Sequence, residues 1–163
     1  KLSGQELSGY YLNQDDDLHK ALKAGLKSDK KVLLLGVSYA LLDLAERRDL
    51  PDMEKVIVME TGGMKGNRKE MVKEELHRAL KSGFGVSEIH SEYGMTELLS
   101  QFYDGPVAAV SGMDLEGRRH VPPPWVRTRV LDPNTLSAVP MGEPGLLCHY
   151  DLANAGSVMV VLT

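Results

Sequence analysis

The chain of 163 residues is the size of one domain, and its 42% hydrophobic residues can supply a core. A net charge of −4 and a pI near 5.7 argue against the basic patch of a nucleic-acid binder, and no apolar run approaches the ~20 residues that cross a bilayer. The single cysteine, Cys148, excludes an internal disulfide and a cysteine-rich zinc site, as expected of a reducing, cytoplasmic setting. No secretory leader is legible. The chain opens at Lys1 without an initiator Met and stops inside the apolar run 158–162. Domain boundaries normally fall in polar linkers, so a piece of a longer protein is expected.

In chain order, Asp15-Asp16-Asp17 ahead of Leu18, Leu22 and Leu26 predicts a helix with an acidic start. Lys31-Val32-Leu33-Leu34-Leu35-Gly36 is a short apolar run, the pattern of a strand buried on both faces. Ser38 is placed to cap a helix running through Leu44 to Arg48, and Pro51 closes it. Val56-Ile57-Val58-Met59 repeats the buried-strand pattern. A second amphipathic helix is expected over 68–82, with Gly83 as its stop. A third short strand is expected over 87–90.

Alternating strands and helices predict a parallel, βαβ-built sheet. After Gln101 the texture changes to Pro122-Pro123-Pro124, Asp132-Pro133-Asn134, Gly142-Glu143-Pro144-Gly145 and short β-rich runs. The fold class expected is α/β: a parallel-sheet subdomain over 1–105, then part of a β-rich subdomain over 106–163.

Two loops carry residues suited to a nucleotide. Glu60-Thr61-Gly62-Gly63 follows the strand at 56–59, and Glu92-Tyr93-Gly94-Met95-Thr96-Glu97 follows the strand at 87–90. In an open parallel sheet, ligands bind beyond the carboxyl ends of the strands, so both loops are expected at that edge. Gly62-Gly63 lets the backbone approach a flat base, and Tyr93 offers a stacking face. Gly94 permits the sharp turn. Thr96 offers a hydroxyl to a phosphate, and Glu97 a hard oxygen ligand for Mg²⁺. A Gly pair alone marks an ordinary turn; the five-residue block is far more specific.

Tyr93-Gly94-Met95-Thr96-Glu97 resembles the Tyr-Gly-x-Thr-Glu signature of adenylate-forming enzymes. The longer stretches Met59-Glu60-Thr61-Gly62-Gly63-Met64-Lys65-Gly66 and His90-Ser91-Glu92-Tyr93-Gly94-Met95-Thr96-Glu97 are most similar to the acyl-protein synthetase branch, whose members activate fatty acid in the reductase complex of luminescent bacteria. Val139-Pro140-Met141-Gly142-Glu143-Pro144-Gly145 is similar to the family's Pro-x-Gly-Glu-x-Gly turn, and Val37-Ser38-Tyr39-Ala40-Leu41-Leu42 with Asp49-Leu50-Pro51 to its substrate-side helix and turn. The resemblance covers about residues 30–163, in the family's order. It departs at Ser91, where many relatives carry an amide that reads the adenine, and at Leu146, where Glu is usual.

The resemblance implies a ligase that converts a carboxylic acid, fatty in this branch, and ATP to acyl-AMP, then passes the acyl group to a thiol of a protein or of coenzyme A. It implies ATP and Mg²⁺ as cofactors and a reductase-type protein among the partners. By position, Gly62, Gly63, Tyr93, Gly94, Met95 and Thr96 would contact the nucleotide. Thr96 and Glu97 would serve catalysis, with Glu97 holding the metal. The family's phosphate loop, ribose-binding Asp and Lys-bearing C-terminal domain have no counterpart in these residues, so the isolated chain is expected to be inactive. A non-catalytic nucleotide- or partner-binding module of the same architecture is the alternative.

Outside the motifs, His90 reads as a structural histidine, because no carboxylate or nucleophile can be placed beside it. Lys65 and Arg68 read as a solvated helix start, with phosphate neutralisation as the other option. Cys148, in an apolar run, reads as an inert buried thiol. Trp125 is either a core anchor or a wall of the acyl site.

Overall fold

A computed structural model describes residues 6–47, 49–106 and 118–163. The architecture is mixed α/β and divides into two compact units, Lys1–His90 and Ser91–Thr163. Parallel pairing characterises the first and antiparallel pairing the second.

The first unit opens with helix α1, Asp15–Leu26, whose three leading aspartates face the positive end of the helix dipole. Strand β1, Val32–Val37, helix α2, Ser38–Ala45, and strand β2, Val56–Thr61, then form a βαβ unit. The strands run parallel, with Val32 opposite Val56 and Val37 opposite Thr61. Because side chains alternate along a strand, residues 56, 58 and 60 share one face and are buried there, beside Leu34 of β1. Leu41, Leu42, Met53, Met64, Leu76, Leu80 and Phe84 complete this core. The expected burial of β1 on both faces does not hold. Leu33 and Leu35 stand about half exposed, since residues packed on β1 gather on the face of Leu34.

Helix α3, Lys73–Phe84, starts five residues later than the sequence pattern predicts and ends on Gly85, not Gly83. Gly85 adopts φ +67, the left-handed cap that glycine takes without strain. Gly83 lies inside the helix, where a Cβ would fall 2.7 Å from Ala45 Cβ, so its bare backbone permits the close approach of α2 and α3. Ser38 also departs from expectation. It is the first helical residue and caps nothing, because its hydroxyl donates to Glu60 instead. Helix α2 ends at Ala45; Arg48, its expected end, lies outside the described residues.

Strand β3, Ile89–Tyr93, leads into the second unit. There β4, Phe102–Pro106, pairs antiparallel with β3 through Tyr93 and Phe102, and β5, Arg118–Val121, pairs with β4. Strands β6, Val126–Leu131, β7, Leu146–Asp151, and β8, Val160–Leu162, form an antiparallel three-stranded sheet in that order. Leu98, Phe102, Val126 and Val161 are its buried core, with Tyr93 and Met95 packed against them. The hairpin between β6 and β7 turns on Asp132, whose Oδ1 accepts from the amides of Asn134 and Thr135 at 2.9 and 2.8 Å. Those two amides hold its carboxyl below the ordinary aspartate range. Part of the composition shift at 101–125, namely 107–117, lies outside the described residues. No helix among the described residues is long and apolar enough to cross a membrane.

Candidate functional site

The Gly62-Gly63 loop follows the end of β2, and both glycines are exposed to solvent. Gly62 has φ +75, a conformation that favours glycine, whereas Gly63 has an ordinary φ and open space where a side chain would begin. The strand end beneath is fixed by a buried carboxylate. Glu60 accepts from Ser38 Oγ at 2.9 Å and lies 3.3 Å from His77 Nε2 of α3, while the Ser38 hydroxyl also reaches the Thr61 carbonyl at 3.4 Å. Glu60 is 6% exposed, because the strand period puts it on the core face with Val56 and Val58. That period was visible in the sequence and marks Glu60 as a support the motif reading passed over.

In the second unit, Glu92 and Tyr93 still belong to β3, so the expected loop begins within the strand. Met95 starts a tight turn closed by Leu98 N donating to the Met95 carbonyl at 3.1 Å. Thr96 and Glu97 occupy its two central positions, both exposed. Glu97 is not bonded to any other described side chain, yet its charge acts on Tyr93. Burial raises the Tyr93 phenol above its ordinary value and the Glu97 carboxylate adds to the rise, so Tyr93 is a neutral phenol near pH 7.

Tyr93 is locked from several sides. Phe102 packs edge-on with ring centres 5.4 Å apart, and His120 and His149 lie tilted at 5.9 and 5.8 Å. Its hydroxyl is 3.3 Å from His149 Nε2, and His149 Nδ1 is 2.8 Å from Thr128 Oγ1. His149 is 1% exposed. Burial lowers its pKa while the nearby Asp151 charge opposes, and the net result is a neutral imidazole. Ser91 is buried and lies 3.2 Å from His120 Nε2.

The far side of the turn is held by residues that motif reasoning missed. Asp151, fully buried at the end of β7, accepts from Leu99 N, Ser100 N and Ser100 Oγ at 3.1, 3.0 and 2.8 Å. Asn154 Nδ2 donates to the Glu97 carbonyl at 2.8 Å. Burial pushes the Asp151 carboxyl up, but the donors from Ser100, Ala153 and Leu99 outweigh it and hold the pKa below the ordinary range. No local signal marks Asp151 and Asn154: they are polar residues in a turn-rich stretch, more than fifty residues from what they hold.

The remaining candidates take other places. Arg68 is engaged by Asp43 at 2.6 Å and by both oxygens of Glu46 at 2.7 Å, which raises its pKa and occupies its guanidinium. His90 has Glu88 at 4.0 Å. Lys65 is exposed, beside Gly62. Trp125 is 52% exposed and is no core anchor; its indole donates to Ser100 Oγ at 2.9 Å. Cys148 is buried.

Among the described residues, no three His, Cys, Asp or Glu side chains converge as a metal cage. One exposed carboxylate beside one exposed hydroxyl fits a different arrangement, in which Mg²⁺ takes one or two carboxylates and is otherwise held by phosphates and water.

Comparison with known proteins places the chain in a family. The sequence model of the family described as acyl-protein synthetase, LuxE, matches residues 18–163. A long-chain-fatty-acid–luciferin-component ligase of Aliivibrio fischeri is 27% identical over 93% of this chain. The chain spans 40% of that relative's length. Apo MatB from Rhodopseudomonas palustris matches with a TM-score of 0.52 at 21% identity, covering 80% of this chain and 24% of that one. ATP-bound MatB from the same organism matches with a TM-score of 0.52 at 20% identity, over the same shares. At such identities the likeness is one of fold.

Proposed function

Because this chain belongs to the acyl-protein synthetase family, we propose that it is the nucleotide-handling part of an ATP-dependent ligase that activates a carboxylic acid as acyl-AMP. The acid class is a fatty acid, and the acyl group then passes to a thiol of a protein or of coenzyme A, with a reductase-type protein as partner. The observation that carries the reading is Glu97, an exposed carboxylate with no hydrogen-bonded partner among the described residues, at the tip of a turn fixed by buried groups.

The residues then divide the work. Gly62 and Gly63 present backbone without side chains, so an adenine edge can approach closely. Tyr93 offers its ring as a stacking face, held by Phe102 and His149. Gly94 and Met95 shape the path from ring to turn, and Thr96 donates its hydroxyl to a phosphate oxygen. Glu97 contributes a carboxylate oxygen to Mg²⁺. Bound there, the ion would neutralise charge that develops on the phosphates during attack. Catalysis by such parts is mostly positioning and charge neutralisation. In this assignment the adenine-side loops fall within 1–105, and 106–163 belongs to the β-rich subdomain.

The test is Glu97→Gln in the protein that carries these residues, with acyl-AMP formation measured across a magnesium titration. Losing one such electrostatic contact costs on the order of 3 kcal/mol, or about a hundredfold in rate. Folding stability should change by less than about 1 kcal/mol, as for an exposed substitution away from special features. A near-normal rate at low magnesium would remove Glu97 from the site.

A further inference from the structure

We infer that Asp151 and Asn154 are positioning residues that set where the Glu97 carboxylate stands, an inference that rests on the nucleotide-site reading above. They form the end of β7 and the short 3₁₀ turn Leu152–Asn154 that follows. Asp151 holds the segment just past the motif, and Asn154 holds the last residue of the motif itself. Asp151 takes donors from Leu99 and Ser100, and Asn154 divides its amide between the carbonyls of Glu97 and Val158 at 2.8 Å each. Ala153 N also donates to Asp151 at 3.0 Å, which fixes the turn that carries Asn154.

The contacts fall where they matter for direction. Asn154 grips the main chain of Glu97 itself, so a shift of that carbonyl moves the side chain on the same residue. Asp151 grips residues two and three further on, which prevents the turn from sliding along the chain. His149, two residues before Asp151 on β7, meets Tyr93 at the entrance of the same segment. One stretch of six residues therefore holds both ends of the motif. A fully buried carboxylate is a costly way to fill a core, where apolar residues of like volume often serve stability as well or better. Four donors aimed at Asp151 fit a role in fixing geometry. Ser100 Oγ extends the frame by accepting from the indole of Trp125.

The test uses the protein that carries these residues, with Asn154→Asp and Asn154→Ser as variants. Glu97→Gln reports on the site itself, and Leu131→Ala, a buried change in the β6–β7 hairpin, is the control for lost stability. Calorimetric titration of Mg·ATP is read alongside the magnesium midpoint of acyl-AMP formation. Aspartate cannot donate to the two carbonyls, whereas serine keeps one hydroxyl donor. Losing such an outer contact typically weakens metal binding by 10–100-fold, so Asn154→Asp should weaken Mg·ATP by about tenfold and raise the magnesium midpoint similarly. Excess magnesium should restore most of the rate, Asn154→Ser should fall between, and Leu131→Ala should keep the normal midpoint. Should Asn154→Asp not fold, the same comparison is read on Asn154→Ser alone. Normal Mg·ATP affinity in the folded Asn154 variants, with Glu97→Gln impaired, overturns the positioning role alone. Normal affinity in Glu97→Gln as well overturns both it and the nucleotide-site reading.

Discussion

The loop at Gly62-Gly63 and the turn at Thr96-Glu97 each follow a strand and expose the residues assigned to chemistry, but they are anchored in different ways. The first rests on Glu60, in its own strand, with Ser38 and His77 donated from helices 22 and 17 residues away. The second rests on β7, through bonds that span 51 to 57 residues. A βαβ unit assembles from neighbours in sequence, so the first loop is in place once α2 packs on β1 and β2. The second requires a long loop to close before any of its anchors exist, which costs chain entropy. The first loop should therefore tolerate loss of one anchor, and the second should not.

The largest effect expected is at Asp151. Alanine there leaves the amides of Leu99, Ser100 and Ala153 and the Ser100 hydroxyl without their acceptor. Leaving buried donors unpaired costs on the order of 3 kcal/mol in total, a large share of a domain's ~5–15 kcal/mol. Denaturant unfolding monitored by Trp125, whose indole joins the same network, should show the midpoint fall. A loss under about 1 kcal/mol would show that water replaces Asp151 readily and that the turn stands without it.

The same anchors predict acid sensitivity in the second unit. His149 is held below its ordinary value by burial, so the unfolded chain takes up a proton first as pH falls through about 6.5. Its contribution is complete above that pH and is lost as pH falls toward the depressed folded value. Asp151 is also depressed, so its contribution persists until pH drops below about 4 and is lost as the folded carboxyl protonates. Acid unfolding should therefore start in two stages, and His149→Gln should remove the first. An unchanged profile in that variant would place the early stage elsewhere.

Next in size is Ser38→Ala in the first unit. It removes one donor from the buried Glu60 carboxylate, and a hydrogen bond to a charged group is worth about 2 kcal/mol. His77 remains beside Glu60, so the unit should still fold cooperatively. If Ser38→Ala destabilises more than Asp151→Ala, the contrast between the two anchorings is wrong.

Ser38 also shows how far the sequence could be read. A serine ahead of an apolar helical stretch is the ordinary signal of a helix cap, but a carboxylate 22 residues away competes for the hydroxyl and wins. Gly83 and Gly85 are equally good stops by sequence. The packing of α3 on Ala45 is what makes Gly83 an interior residue. Helix α1 and strands β1 and β2 were legible because local apolar spacing and an acidic start determine them. Family membership was legible because two stretches of eight consecutive residues, 59–66 and 90–97, carry it. Asp151 and Asn154 were not, since buried polar groups look like surface ones until a distant strand covers them. The exposure of Leu33 and Leu35 follows the same rule, for a continuous apolar run does not reveal which face is covered.

The smallest change in stability, and the sharpest distinction within one loop, is expected from the adjacent glycines. Gly62 has φ +75, where an alanine is strained by about 1 kcal/mol. The nearest atoms to a new methyl there are the flexible end of Lys65, 3.3 Å away, which can move aside, so backbone strain sets the cost. Gly63 has an ordinary φ and nothing within 4 Å of a new Cβ, so Gly63→Ala should leave stability within about 0.5 kcal/mol. The open space at Gly63 is what an adenine edge would need. If the base approaches there, the methyl intrudes and KM for ATP should rise about tenfold, equivalent to ~1.4 kcal/mol, with kcat for acyl-AMP formation little changed. Gly62→Ala should show the reverse emphasis, a lower thermal midpoint first and a smaller change in KM. An unchanged KM in Gly63→Ala would move the adenine away from this loop, and the second unit would then have to bind the nucleotide without it.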